Sequence, residues 1–222
     1  MSDAPRYDGI SEWYQGFRPE LTPWELDALK RLLGRGPGRC LDLGCGTGVA
    51  TAVVAELGWS PVGVDVSAGL LEVARAAGLE VVEAQADALP FEDASFDAGI
   101  SVWTHTDVED FATALGEVAR VLRPEAAFVY IGGHPCFVGP HSLFVGAEGI
   151  PKFHPGYRPS RWYDKSAPGV GDPEGLRARV DSIHLTLDDF LNAFLNAALR
   201  LERFEELTDR DYPYLVALRA RR

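Results

Sequence analysis

The chain has 222 residues, 46% of them hydrophobic, and a net charge of -12. Length and composition fit one globular domain with a substantial core, and the acidic balance argues against a nucleic-acid partner, whose phosphates call for a basic surface. The opening MSDAPRYDGI lacks a basic segment followed by an apolar one, and no apolar run approaches the ~18 residues of a membrane span, so a cytoplasmic location is expected.

The predicted elements alternate. YDGISEWYQGF is a short amphipathic segment, and LTPWELDALKRLLGRG opens with a capping box from Thr22 to Glu25, with Gly34 placed to end the helix. Arg39 to Leu43 reads as a buried strand, Gly48 to Leu57 as a helix, and Pro61 to Val66 as a strand. Ser67 to Ala77 follows as a helix capped by Ser67, then strands at Leu79 to Ala84 and Phe96 to Trp103. Apolar residues at helical period mark Val108 to Leu122, and Ala126 to Ile131 is a fifth strand. Residues 132–185 are rich in Gly, Pro, His and aromatics and show little regular pattern, which inside a compact domain usually marks a functional segment. Thr186 and Asp189 then form a second capping box for a last helix, before strands at Leu201 to Leu207 and Tyr214 to Arg219. Such alternation predicts an α/β fold: a mostly parallel sheet with helices on both faces and an antiparallel end.

The first strand runs into CLDLGCGTGVA, with glycines at 44, 46 and 48. A glycine turn that restarts as a helix offers backbone N–H groups to a ligand. A dinucleotide fingerprint would need its third glycine at position 49, which is Val49, and no lysine follows for a phosphate loop. Asp65 ends the second strand, where a carboxylate can accept two bonds from a ribose diol, and Asp87 lies beyond the third, where one can accept from an exocyclic amine. Recognition of a nucleoside without its phosphates points to S-adenosylmethionine. The cysteines Cys40, Cys45 and Cys136 have no metal-ligand spacing, so no metal site is expected and the thiols read as reduced.

With LDLGCGTG, DVSAGLLEVAR, QADALPFEDASFDAGIS and RVLRPEAAFVYIG, the chain resembles the class I S-adenosylmethionine-dependent methyltransferases, and particularly their type 11, ubiquinone-biosynthesis-like branch. The resemblance implies a Rossmann-like, seven-stranded, mostly parallel sheet with an antiparallel last strand. It implies a single domain over 1–222: an N-terminal helical segment at 1–37, a cofactor core at 38–133, a lid and substrate insert at 134–185, and a final helix and strands at 186–222. Asp42, Gly44, Cys45, Gly46, Thr47 and Gly48 would surround the methionine part of the cofactor. Asp65 would hold the ribose, Val66 would flank the adenine, and Asp87 with the Ala88 amide would meet its edge. Ser101 and Trp103 would form a floor under the methyl donor, with Tyr14 and Arg18 closing over it. Glu125 and Ala126 stand where the family usually has glycines, a departure confined to a turn.

His105 is the best-placed general base should the acceptor need to lose a proton, its plain alternative being a packing histidine bonded to Asp107. His134, His141 and Trp162, in the insert, suit a pocket for an apolar or aromatic small molecule. Phe144, His154, Tyr157 and Tyr163 have the same character. The expected activity is methyl transfer to O, N or C of a small organic acceptor. The rivals are a non-catalytic module that binds S-adenosylmethionine or S-adenosylhomocysteine, and a methyltransferase for protein or RNA. An NAD-linked oxidoreductase is more distant because of the misplaced glycine. The oligomeric state is left open.

Overall fold

A computed structural model describes residues 5–138, 156–158, 160–163, 175–208 and 211–222. Helix α1 (Ser11–Phe17) and α2 (Pro23–Leu33) precede the sheet. Thr22 accepts from the Glu25 amide while Glu25 reaches back to the Thr22 amide, so the expected capping box forms in full. Strand β1 (Arg39–Leu43), helix α3 (Val49–Glu56), β2 (Ser60–Asp65), α4 (Ala68–Ala76), β3 (Val81–Glu83) and β4 (Phe96–Val102) follow the predicted alternation.

Helix α5 (Phe111–Val121) starts three residues later than its apolar pattern suggests. Residues Thr104–Thr106 wind into a single 3₁₀ turn, and Asp110 accepts from the Thr113 amide to cap the helix there. Strand β5 (Leu122–Gly133) is correspondingly longer than expected. Helix α6 (Leu187–Asn196) is capped by Thr186, and β8 (Arg200–Leu207) and β9 (Leu215–Arg221) close the chain. Within the stretch expected to lack regular structure, β6 (Arg161–Tyr163) pairs antiparallel with β7 (Ser182–His184).

Seven strands form one sheet in the order β3-β2-β1-β4-β5-β9-β8, parallel through β5 and antiparallel at β9 and β8. Side chains along β5 alternate between two cores. Phe128 and Tyr130 join Leu41, Phe96, Leu115, Phe190 and Phe194 under α5 and α6. Val129 and Ile131 join Ala28, Leu29, Val54 and Ile100 under α2 and α3. The sheet is therefore covered on both faces, as a parallel sheet must be. Strand order reverses between β1 and β4, so the crevice beyond their carboxyl ends is the topological switch point where such sheets bind ligands.

Candidate active site at the carboxyl end of the sheet

The glycine loop is fastened to β2 before it becomes a helix. Gly44 and Cys45 donate their amides to the Val64 carbonyl at 2.7 and 2.9 Å. Gly44 and Gly48 have φ of +72° and +85°, a region that side-chain-bearing residues avoid. A Cβ at Gly44 would stand 2.6 Å from Thr104 Oγ1, and one at Gly48 would run into Leu79. Asp65 locks the middle of the loop, its Oδ2 accepting from the Gly46 amide and its Oδ1 from the Ser67 amide, each at 2.9 Å. Burial raises the Asp65 carboxyl above the usual carboxylate range despite these two bonds.

A pocket opens against this loop. Its walls include Asp42, Gly44, Cys45, Gly46 and Thr47 from β1 and the loop, Tyr14 and Arg18 from the N-terminal segment, and Val102 and Trp103 after β4. Eight of the fourteen expected cofactor residues thus meet around one cavity. Asp42 lies at its base, fully buried. Its Oδ2 accepts from Thr51 Oγ1 at 2.6 Å, whereas Oδ1 has no hydrogen-bond partner. Burial pushes this carboxyl up to about 7, against a smaller opposing effect of Thr51. A bare, buried carboxylate oxygen calls for a donor, and a cation satisfies it best.

Across the pocket, Arg18 Nη2 donates to Glu25 Oε1 at 2.9 Å and its guanidinium lies 5.2 Å from the Trp103 ring centre. The Trp103 indole N–H also donates to Glu25. Burial pushes the Tyr14 phenol up to about 12, against the opposing effect of the Arg18 guanidinium. Neither Thr51 nor Glu25 carries a sequence signal of a role at this pocket; the capping box marks Glu25 only as a helix start.

The other expected residues are placed differently. Gly48 caps α3 behind the pocket, while Val66 is half-buried and Asp87 and Ala88 are exposed, outside its walls. The Ala88 amide already donates to the Gln85 carbonyl at 3.2 Å. Ser101 is fully buried outside the pocket walls, where its hydroxyl lies 3.1 Å from the Leu43 carbonyl and 2.7 Å from Thr104 Oγ1. His105 is buried among Phe111, Tyr130 and Phe190 and its Nδ1 meets the Tyr130 hydroxyl. Burial, with Arg177 and His184 nearby, holds its imidazole down at about 3, the state of a packing histidine, here bonded to Tyr130 in place of Asp107.

In the insert, His134 Nδ1 accepts from the Cys136 amide at 3.1 Å, which makes Nε2 the protonated nitrogen facing Glu206 at 3.0 Å. Both ring nitrogens are thereby engaged by the protein. Arg6 covers the Trp162 ring at 4.2 Å. His141, Phe144 and His154 lie outside the described residues, as does the side chain of Tyr163. Arg177, just before β7, holds Thr106 Oγ1 at 2.9 Å and Asp107 at 3.3 Å, tying the end of the insert to the loop after β4. Among the described residues no helix is long and apolar enough to cross a membrane.

Residues 41–130 match the family model of the type 11 methyltransferase domain. The chain is 38% identical over 136 residues to a demethylmenaquinone methyltransferase from Thermus thermophilus, covering 58% of this chain and 61% of that protein. It is 35% identical over 143 residues to a 2-phytyl-1,4-naphtoquinone methyltransferase from Trichormus variabilis, covering 59% and 61%. The chain therefore spans about three fifths of the length of these curated relatives. Among solved structures, an S-adenosylmethionine-dependent methyltransferase from Mesorhizobium loti is 28% identical, with a TM-score of 0.69 over 97% of this chain and 99% of that one.

Proposed function

We propose, on the premise that this is a class I S-adenosylmethionine-dependent methyltransferase of the type 11 branch, that the chain methylates a small organic acceptor. The observation that carries this reading is that one pocket is lined by both an acid and a guanidinium. Asp42 offers a buried carboxyl oxygen without a hydrogen-bond partner, and Arg18 a guanidinium on the same pocket. An α-amino acid group, ammonium at one end and carboxylate at the other, is the complement of that pair. The fit extends to Asp65, whose oxygens retain lone pairs for a ribose diol beyond the two amides they already hold.

S-adenosylmethionine, when bound, supplies a methyl group already activated on a sulfonium. The protein's share is then to hold an acceptor atom close and aligned, and to keep the reacting centre dry. Trp103, Tyr14 and Val102 supply the apolar walls for that task. The quinone-methylating relatives, the aromatic walls and the charge of -12 support a small aromatic or quinone-like acceptor over nucleic acid. The free thiols of Cys40, Cys45 and Cys136 suit a reducing compartment, and the proposal puts the enzyme in the cytoplasm, with 1–222 acting as one domain.

The test is calorimetric titration with S-adenosylmethionine, S-adenosylhomocysteine and NAD in parallel. Micromolar binding of the first two and none of the third is expected. Binding of neither sulfur cofactor would remove the proposal.

A further inference from the structure

Glu25 is completely buried, yet it accepts hydrogen bonds from three separate parts of the chain. Oε2 takes the Thr22 amide at 2.8 Å, which is the reciprocal half of the capping box. Oε1 takes Arg18 Nη2 at 2.9 Å and the indole N–H of Trp103 as well. Only the first of these belongs to starting a helix. A glutamine completes a capping box as well as a glutamate does, so the cap does not explain why a charge is buried here. Burying a carboxylate is costly unless it is paired and hydrogen-bonded, and both outer partners serve that end. Together with the Thr22 amide they outweigh burial and hold the Glu25 carboxyl below its usual range.

Both outer partners are pocket walls. Arg18 follows α1, Trp103 follows β4, and neither is set by its own element. Trp103 sits at φ +66°, a strained setting for a non-glycine residue, with its amide on the Ile131 carbonyl. Arg18 lies at the end of a helix that has no buried residues of its own. The carboxylate is what joins them, and the guanidinium also rests over the indole it shares with Glu25.

We propose that Glu25 is a positioning residue for cofactor binding, fixing the Arg18 guanidinium and the Trp103 ring on the pocket wall so that an incoming α-carboxylate meets a preset cation. This rests on the assignment of the pocket to S-adenosylmethionine. Glu25 touches no part of the ligand and acts through its two partners. Its effect therefore belongs to the amino-acid end of the ligand and spares the nucleoside end.

Two probes separate those ends: S-adenosylhomocysteine, and methylthioadenosine, which lacks the ammonium and the carboxylate. Glu25→Gln keeps the shape and the cap but gives up the charge. Glu25→Asp keeps the charge but draws it back by one methylene. The glutamine variant is expected to weaken S-adenosylhomocysteine about tenfold and methylthioadenosine less than twofold. The aspartate variant should fall between it and the wild type. Equal weakening of both probes, unchanged affinity for S-adenosylhomocysteine, or failure of both variants to fold would make Glu25 a structural residue and overturn the proposal. If the wild type binds neither probe, the assignment of the pocket fails, a result distinct from any of these.

Discussion

Asp42 is a buried carboxyl with one oxygen satisfied and one bare, so its protonation state decides what the pocket holds. Its folded-state value of about 7 lies above the unfolded value of 3.8. The folded protein therefore keeps a proton that the unfolded chain gives up. Stability linked to Asp42 is greatest below pH ~4, falls as pH rises to about 7 and is level beyond. An ammonium beside Oδ1 favours the ionised form instead. Affinity for S-adenosylhomocysteine should accordingly rise between pH ~5.5 and ~7, by up to tenfold per unit, and then level off. Asp42→Asn should bind more weakly and without that slope. A flat wild-type profile in calorimetry would clear Asp42 of the contact. Asp65→Ala removes the proposed ribose contact together with the anchor on the Gly46 amide, and a drop in S-adenosylhomocysteine affinity of at least tenfold, ~1.4 kcal/mol, is expected. For His105→Ala, an emptied ring site and a bare Tyr130 hydroxyl should cost ~3 kcal/mol of stability, read from urea unfolding. Lost turnover at unchanged stability would return His105 to the role of base.

At the level of elements, β5 holds a local conflict. Glu125 adopts φ +66° while its amide bonds the Arg222 carbonyl, and the family usually has glycine at this turn. Its ion pairs to Arg200 and Arg221, at 3.8 and 3.9 Å, are largely exposed and contribute little. Glu125→Gly should therefore stabilise the protein by ~0.5–1 kcal/mol, a rise of a few degrees in melting temperature by calorimetry. A lower melting temperature would mean that the arginine contacts outweigh the strain. Elements of this kind are legible when their signals are local. The caps at Thr22, Ser67 and Thr186 form where their spacing predicted them, except that the box expected at Thr186 is half made, its amide going to Ser160 Oγ and not to Asp189. At α5 two local signals compete, and the Asp110 cap prevails over an apolar phase that runs back to Val108. The ribbon of β6 and β7 carries no local signal, because RWY and SIH are three-residue runs that become strands only by pairing with each other. The same limit applies to the site. The glycine loop and Asp65 are readable because each lies at a strand end. The bonds from Trp103 to Glu25 and from His105 to Tyr130 cross 78 and 25 residues, and no spacing rule announces them.

Across the whole molecule, the pocket is assembled from pieces of very different stability. Its base belongs to β1 and β4, in the middle of the seven-stranded sheet, where both faces are covered. Its cover belongs to the N-terminal segment, where no residue of α1 is fully buried and the links to the rest of the fold are few, such as Arg18 to the buried Glu25 and Asp8 to the buried Ser67. Such a segment opens at a small free-energy cost while the sheet stays closed. A ligand gripped between base and cover binds only the closed form, so it stabilises the cover by linkage, ~2.7 kcal/mol at a hundredfold excess over Kd. Hydrogen exchange should then slow by up to about a hundredfold at the α1 amides when S-adenosylhomocysteine is added. The central strands, whose opening already requires global unfolding, should change only as far as global stability does. Glu25→Gln should shrink the α1 response, because the cover would then close without its cation in place. Equal α1 exchange with and without a ligand that demonstrably binds would show that the N-terminal segment is a fixed wall, with the cofactor entering past Tyr14 by another route.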